Sequence, residues 1–374
     1  MSEEAAAVRV EKAVGRIRGY LQRGSTSDIG GRCFLDNLNA ANGIPPRYKL
    51  SSPVKQQSFL LSLALSTPEP SGEDGLSEGE WEQVYASLEE AFHAYMDIFW
   101  PDPDQLDELS DEWRSVRNVA LPAFLDYFNT GILATVSQVR EQIERYLIPF
   151  DDDLLNLIGV SASRALQIAD WIHEAFSDAI AATGDLSKEL GEIRERAEEI
   201  ARTQGQGGTS DQIAAEELGG AEVALRLYEA TSRVGLVSFG ELKAEFGEDA
   251  EAYLVAFSAE RGSLPEIEYP TEVHPWEKKA VIRVEDERYL IPSANGLFTS
   301  VLFAAEAALS ESARREAYFS HRDKELEKQT ADLFGLMFPE ATFWSGLHEC
   351  TDTQFEHDLV VVFDDTVLFV EAKA

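Results

Sequence analysis

The chain has 374 residues, with 32 lysines and arginines against 68 aspartates and glutamates, which gives a formal net charge of −36. An apolar fraction of 44% supports real hydrophobic cores and argues against wholesale disorder, and the length suggests two or three domains. Cys33 and Cys350 form no Cys-x-x-Cys motif, and no run approaches the roughly 18 apolar residues of a membrane span. The acidic N-terminus lacks the apolar core of a signal peptide. We therefore expect a cytoplasmic protein outside the membrane.

The N-terminal half of the sequence has mainly helical patterning. Residues 1–24 place apolar side chains at helical spacing and predict one amphipathic helix, whereas 24–57 contain glycine, proline and asparagine and are predicted to be irregular. Ser77 and Glu80 form a capping box at the start of the next helix. Further helices are predicted at about 104–129, 132–148, 151–158, 162–182 and 187–203.

The polar, glycine-rich stretch at 203–212 predicts a linker rather than a phosphate-binding loop, because no G-x-x-x-x-G-K-[ST] motif is present. After it, Ser238 and Glu241 form a second capping box, and Gly247 ends a short helix. The two helices around this glycine are similar to a helix-turn-helix. The second one begins with acids where a DNA reader carries arginine, lysine or asparagine, so we expect a packing role.

The C-terminal part of the sequence changes to strand patterning. Residues 280–284 and 288–291 predict one β-hairpin, and helices are predicted at 296–309 and 322–338. At the end of the chain, two runs rich in Val, Leu and Phe flank Asp364-Asp365 and predict a second hairpin. A turn centred between these aspartates gives four opposed pairs: Val362 with Val367, Val360 with Phe369, Asp358 with Glu371, and Glu356 with Lys373.

Opposed side chains in a hairpin share a face, with Cβ atoms roughly 4.5–5.5 Å apart, and two like charges so placed are destabilising. The pair Asp358 and Glu371 therefore favours a bound cation, and Lys373 adds a second useful charge on the same face. The same register turns His357 to the opposite face, so His357 is left out of the site. Because both faces are otherwise largely apolar, we expect the hairpin to be central and buried.

Asp358, a hairpin and then Glu371-Ala372-Lys373 resemble the D…(D/E)-x-K core of the restriction-endonuclease-like (PD-(D/E)xK) nucleases. The resemblance implies that Asp358 and Glu371 bind Mg²⁺ or Mn²⁺ and that Lys373 orients or activates the attacking water. It also implies one more glutamate from a preceding helix, for which Glu327 is the first candidate and Glu325 the second. The resemblance covers about the last 50 residues, and the family fold continues further, so we expect a C-terminally truncated nuclease-related domain.

The predicted fold class is α+β and predominantly helical, with a long helical N-terminal region followed by the start of a restriction-endonuclease-like α/β domain. The expected division is a helical region at 1–203, a small helical segment with a β-hairpin at 204–295, and the partial nuclease-like domain at 296–374.

The predicted function is a metal-dependent nuclease that cleaves DNA phosphodiester bonds, with prokaryotic defence or repair as the expected setting. The net charge of −36 weighs against it, because phosphate-binding proteins usually carry basic patches. The alternative is a non-catalytic, acidic helical protein that binds a basic partner or mimics nucleic acid. The protein partner of the helical region is left open.

Overall fold

A computed structural model describes most of the chain and shows a mostly helical α+β protein with two small β-sheets. The described residues are 3–41, 43–70, 75–99, 111–129, 135–204, 214, 218–285, 287–348 and 356–372. Within them, no helix is long and apolar enough to cross a membrane.

Backbone contacts group the chain into two compact units. Unit 1 comprises 1–136 and 167–300, and unit 2 comprises 137–166 and 301–374. This grouping differs from the three consecutive segments expected from the sequence, because each unit combines two stretches that are distant along the chain.

Helices account for most of the described residues up to 204. They are α1 (Glu3–Leu21), α2 (Thr26–Ala41), α3 (Pro53–Ser66), α4 (Glu78–Phe99), α5 (Asp111–Asn129), α6 (Val136–Gln142), α7 (Asp151–Ile158) and α8 (Ala162–Gln204). A π-helical turn at Ile143–Leu147 and a 3-10 turn at Ile148–Phe150 continue α6 towards α7. The capping box before α4 is confirmed, because the Ser77 N–H donates to Glu80 Oε2 at 2.8 Å and the Glu80 N–H donates to Ser77 Oγ at 3.4 Å.

Two helix predictions are wrong, and in both places the helix contains glycine. The segment 24–57 is not irregular but contains the whole of α2. Within α2, Gly30 lies so close to the sheet that a Cβ there would collide with Leu290, so this glycine permits close packing. Likewise, the two helices predicted at 162–182 and 187–203 are a single helix of 43 residues that continues through Gly184.

The C-terminal elements include all seven strands of the described residues. In order they are α9 (Gly220–Arg233), β1 (Leu236–Ser238), α10 (Phe239–Phe246), α11 (Glu248–Phe257), β2 (Ser258–Ala259), a 3-10 turn (Pro275–Lys278), β3 (Val281–Glu285), β4 (Arg288–Leu290), α12 (Ala294–Ser310), α13 (Arg315–Met337), β5 (Thr342–His348), β6 (Glu356–Phe363) and β7 (Thr366–Val370). The strands form one sheet of order β1-β4-β3-β2 and a second of order β5-β6-β7.

Unit 1 contains the larger core, in which α1 packs along α4. Buried Ile17 and Trp81 belong to the same apolar cluster as Leu290 of β4. The predicted capping box at Ser238 and Glu241 is confirmed at the start of α10, and Gly247, at φ 62°, separates α10 from α11. Helix α11 buries Tyr253 and exposes Glu248 and Glu251, whereas Asp249 is half-buried.

Unit 2 positions the C-terminal hairpin. Helix α13 packs against the π-helical turn and against β5 and β6. Its Tyr318 ring meets Phe150 edge-on, with the ring centroids 5.7 Å apart. At the end of this helix, the Phe338 ring contacts Phe363 of β6 at a centroid distance of 5.6 Å. The hairpin is therefore supported on one side by α13.

Candidate functional site

The predicted register of the terminal hairpin is confirmed over its paired length. Val362 lies opposite Val367, and Val360 lies opposite Phe369. The turn is made by two aspartates, of which Asp364 adopts a positive φ of 50°. Aspartate tolerates this left-handed conformation better than most residues do, so the acidic pair suits the turn it occupies.

Asp358 and Glu371 follow directly after the last pair of this ladder, Leu359 with Val370. The Ala372 backbone N–H donates a hydrogen bond of 2.7 Å to Asp358 Oδ2. A carboxylate that accepts a backbone N–H is held in one orientation, and its charge is partly stabilised. Asp358 is thus fixed against the stretch that carries Glu371.

His357 is part of this neighbourhood, which corrects the prediction that it faces away. Its Nδ1 lies 3.5 Å from Glu371 Oε1, and its ring packs on Phe369 with the centroids 4.8 Å apart. The pairing of β6 with β7 ends before His357, so the alternation of faces that the ladder imposes no longer separates it from Glu371. In the sequence, the position of His357 next to Asp358, beyond the paired part of the hairpin, is the signal that could have placed it in the site.

The expectation of a central, buried hairpin is right for β6 and wrong for β7. Strand β6 lies between β5 and β7, and its residues 359–361 are buried. Strand β7 is an edge strand among the described strands, with Val367 48% exposed and Phe369 61% exposed. Trp344 of β5 lies opposite Val360 and is 45% exposed, so the face that carries the acids is exposed on both flanks although Val360 at its centre is buried.

The other predicted site residues lie on α13 and at the end of the chain. Glu327 is exposed on α13, and Glu325 lies 4.0 Å from both Arg145 and Lys328. In the part of the chain that the structure describes, no group of three or more His, Cys, Asp or Glu side chains is placed to hold a metal ion. Lys373 lies outside the described residues.

The residues that do come together have suitable donor chemistry for a hard divalent cation. Carboxylate oxygens suit Mg²⁺ and Mn²⁺, and imidazole adds a nitrogen donor. Mg²⁺ is usually bound by one or two protein carboxylates and keeps several waters or takes substrate phosphate oxygens. The pair Asp358 and Glu371 fits such a site, since Glu371 is half-exposed and reachable from solvent.

No family model, curated protein or solved structure gives a significant match to this chain. The candidate site is therefore argued from its residues and geometry.

Proposed function

We propose that the terminal hairpin belongs to a restriction-endonuclease-like α/β domain, and that the chain is a metal-dependent nuclease acting on DNA phosphodiester bonds. The observation that carries the proposal is the placement of Asp358 and Glu371 at the end of one ladder, with the Asp358 carboxylate tied to the Ala372 N–H. This arrangement supports the two acidic positions of the D…E-x-K resemblance.

In this proposal each residue has a separate role. Asp358 and Glu371 are the metal ligands, and Lys373 stabilises developing charge or assists the attacking water. A divalent cation, when bound, polarises the scissile phosphate and lowers the pKa of a bound water. The hydrogen bond from Ala372 orients Asp358 before any ligand arrives, which avoids reorganisation during the reaction. Glu327 remains a further candidate for the metal site.

Two exposed aromatic side chains favour a nucleic-acid substrate. Trp344 and Phe369 lie on the face of the sheet that carries the acids, and both are substantially exposed. Aromatic rings in such a position stack on unpaired bases with little dependence on sequence. They offer a means of holding nucleic acid that does not require a strongly basic surface.

The test compares isosteric variants of full-length protein in a DNA cleavage assay with Mg²⁺ or Mn²⁺. Asp358→Asn and Glu371→Gln are each expected to lower the rate by ~100-fold or more, because a metal ligand supplies several kcal/mol of transition-state stabilisation. Asp365→Asn is the matched control, since it removes the same charge at the exposed turn of the same hairpin. Cleavage by Asp358→Asn at the wild-type rate would contradict the proposal.

One observation favours the non-catalytic alternative. Several basic side chains of unit 2 are already engaged by acids, with Arg145 2.6 Å from Glu141 and Arg322 3.1 Å from Glu306. Together with a net charge of −36, this leaves a surface suited to a basic protein. Salt-sensitive binding of a basic protein, without metal binding and without DNA cleavage, is the result expected for that function.

A further inference from the structure

Unit 1 contains a cleft that has no part in the site on the hairpin. It has a volume of about 510 Å³ and lies between α2, the start of α4 and the strands β1, β3 and β4. Its walls are mostly apolar and include Phe34, Leu35, Leu236 and Leu290. Cavities of ~300–1,000 Å³ with apolar walls and a few convergent polar groups are typical of small-molecule sites.

Arg32 is the main polar group of this cleft. Its side chain is only 13% exposed, and its guanidinium lies over the rings of Tyr48 and Trp81, at 5.1 Å and 5.7 Å from their centroids. Nη1 donates to Glu78 at 3.3 Å. The buried Nε has no hydrogen-bond partner among the described residues, and the Asp36 oxygen paired with it is 3.9 Å away. The stacked guanidinium is therefore rigidly held but incompletely hydrogen-bonded.

A second guanidinium, that of Arg288, lines the same cleft; it is about half exposed and pairs with the exposed Glu285 at 3.3 Å. The acids of the lining are already engaged by protein donors. Asp28 accepts the Leu76 N–H at 2.7 Å, and Glu78 is shared between Arg32 and Arg47. Two arginines in an apolar wall, in a chain with about twice as many acids as bases, favour an anionic ligand group.

We propose that this cleft binds a small amphipathic carboxylate, meaning a compact aromatic or aliphatic body with a single carboxylate group. The apolar body packs against Phe34, Leu35 and Leu236, and the carboxylate accepts hydrogen bonds from Arg32 with Arg288 beside it. A planar guanidinium presents a fork of donors that matches a carboxylate, which is why this group is preferred over a neutral one. The site is independent of the proposed nuclease function.

The first test measures binding of naphthalene carboxylate to the full chain by isothermal titration calorimetry, with naphthalene carboxamide as the neutral counterpart. Arg32→Met is expected to weaken carboxylate binding ~10-fold or more through loss of a charge-assisted hydrogen bond. Arg47→Met is the matched control. Arg47 pairs with the same Glu78 at 2.9 Å and stacks on the same Tyr48 ring at 5.6 Å, but it does not line the cleft, so binding should stay within ~2-fold.

A second variant fills the cleft without removing any protein contact. Gly31 lines it, and a Cβ added there would meet nothing within 4 Å, so Gly31→Leu should fold and abolish binding. Gly15→Leu, at an equally open helical position on α1, controls for the change in helix propensity and should bind normally. Three results would each overturn the proposal: no carboxylate binding at millimolar concentration, equal binding of the carboxamide, or unchanged binding by Gly31→Leu.

Discussion

Arg261 joins the ends of two helices in unit 1, and its removal is predicted to be unusually costly. Its Nη1 donates to the Gly24 carbonyl oxygen at 3.0 Å, and its Nε donates to the Thr67 carbonyl oxygen at 3.2 Å. Its Nη2 donates to the carbonyl oxygen of Leu21, the last residue of α1. The carbonyls of Leu21 and Thr67 belong to the termini of α1 and α3, where helices leave acceptors unsatisfied and carry partial negative charge, and the Gly24 carbonyl lies in the turn after α1.

The magnitude follows from the number of bonds. A hydrogen bond to a charged group contributes ~1.5–3 kcal/mol, so three bonds suggest ~4.5 kcal/mol at the lower limit. Water can reach part of this half-buried region after the substitution, which lowers our expectation for Arg261→Met to about 3 kcal/mol of unfolding free energy. Burial also lowers the pKa of Arg261, because desolvation penalises the charged guanidinium, and the nearby carboxylate of Glu69 opposes this shift.

The assay is urea-induced unfolding, followed by an optical signal from unit 1, with Arg23→Met as the control. Arg23 pairs with Glu80, but its side chain is 58% exposed, so its loss should cost less than about 1 kcal/mol. If Arg261→Met were no more destabilising than Arg23→Met, the reasoning from shared helix-end carbonyls would be refuted.

Two further predictions concern unit 1. Burial lowers the pKa of His274, so at mildly acidic pH the unfolded chain binds a proton that the folded chain does not. The free energy of unfolding should therefore fall as the pH drops below the ordinary histidine range. In urea titrations at about pH 7.5 and about pH 5.5, His274→Gln should lose less unfolding free energy between the two pH values than the wild type. Neighbouring glycines of α2 should respond in opposite directions, because a Cβ at Gly30 collides with Leu290 whereas one at Gly31 enters open space. We expect Gly30→Ala to cost about 1–2 kcal/mol and Gly31→Ala to add about 0.5–1 kcal/mol, and equal effects in thermal unfolding would contradict this explanation.

Local signals in the sequence predicted the local structure well. The capping boxes at Ser77 and Ser238 depend only on residues three apart, and both form as expected. The hairpin register depends on one short turn and alternating side chains, and it is correct over every paired residue of β6 and β7. These features are set by near neighbours, so the sequence contains enough information to place them.

Features that depend on distant contacts could not be predicted. Gly30 has the same local signature as a loop glycine, and only the approach of Leu290 from β4 explains its place inside a helix. The exposure of Phe369 depends on which strand covers β7, and apolar alternation alone cannot report this. His357 was misplaced because the length of the ladder, rather than its register, decides which side chains meet at its end.

The hydrogen bond between Asp358 and the Ala372 N–H has a thermodynamic consequence for any ligand of this carboxylate. The donor follows the end of β7, a strand of five residues at the edge of the described sheet, and the ends of such strands open locally at low free-energy cost. Each opening releases Asp358 from its fixed orientation, so ligand affinity includes the equilibrium of strand closure. By linkage, a ligand that selects the closed form must protect the amides of β7 from hydrogen exchange in proportion to its occupancy. Folding of the end of β7 and binding of a ligand to the carboxylate pair are thus thermodynamically coupled.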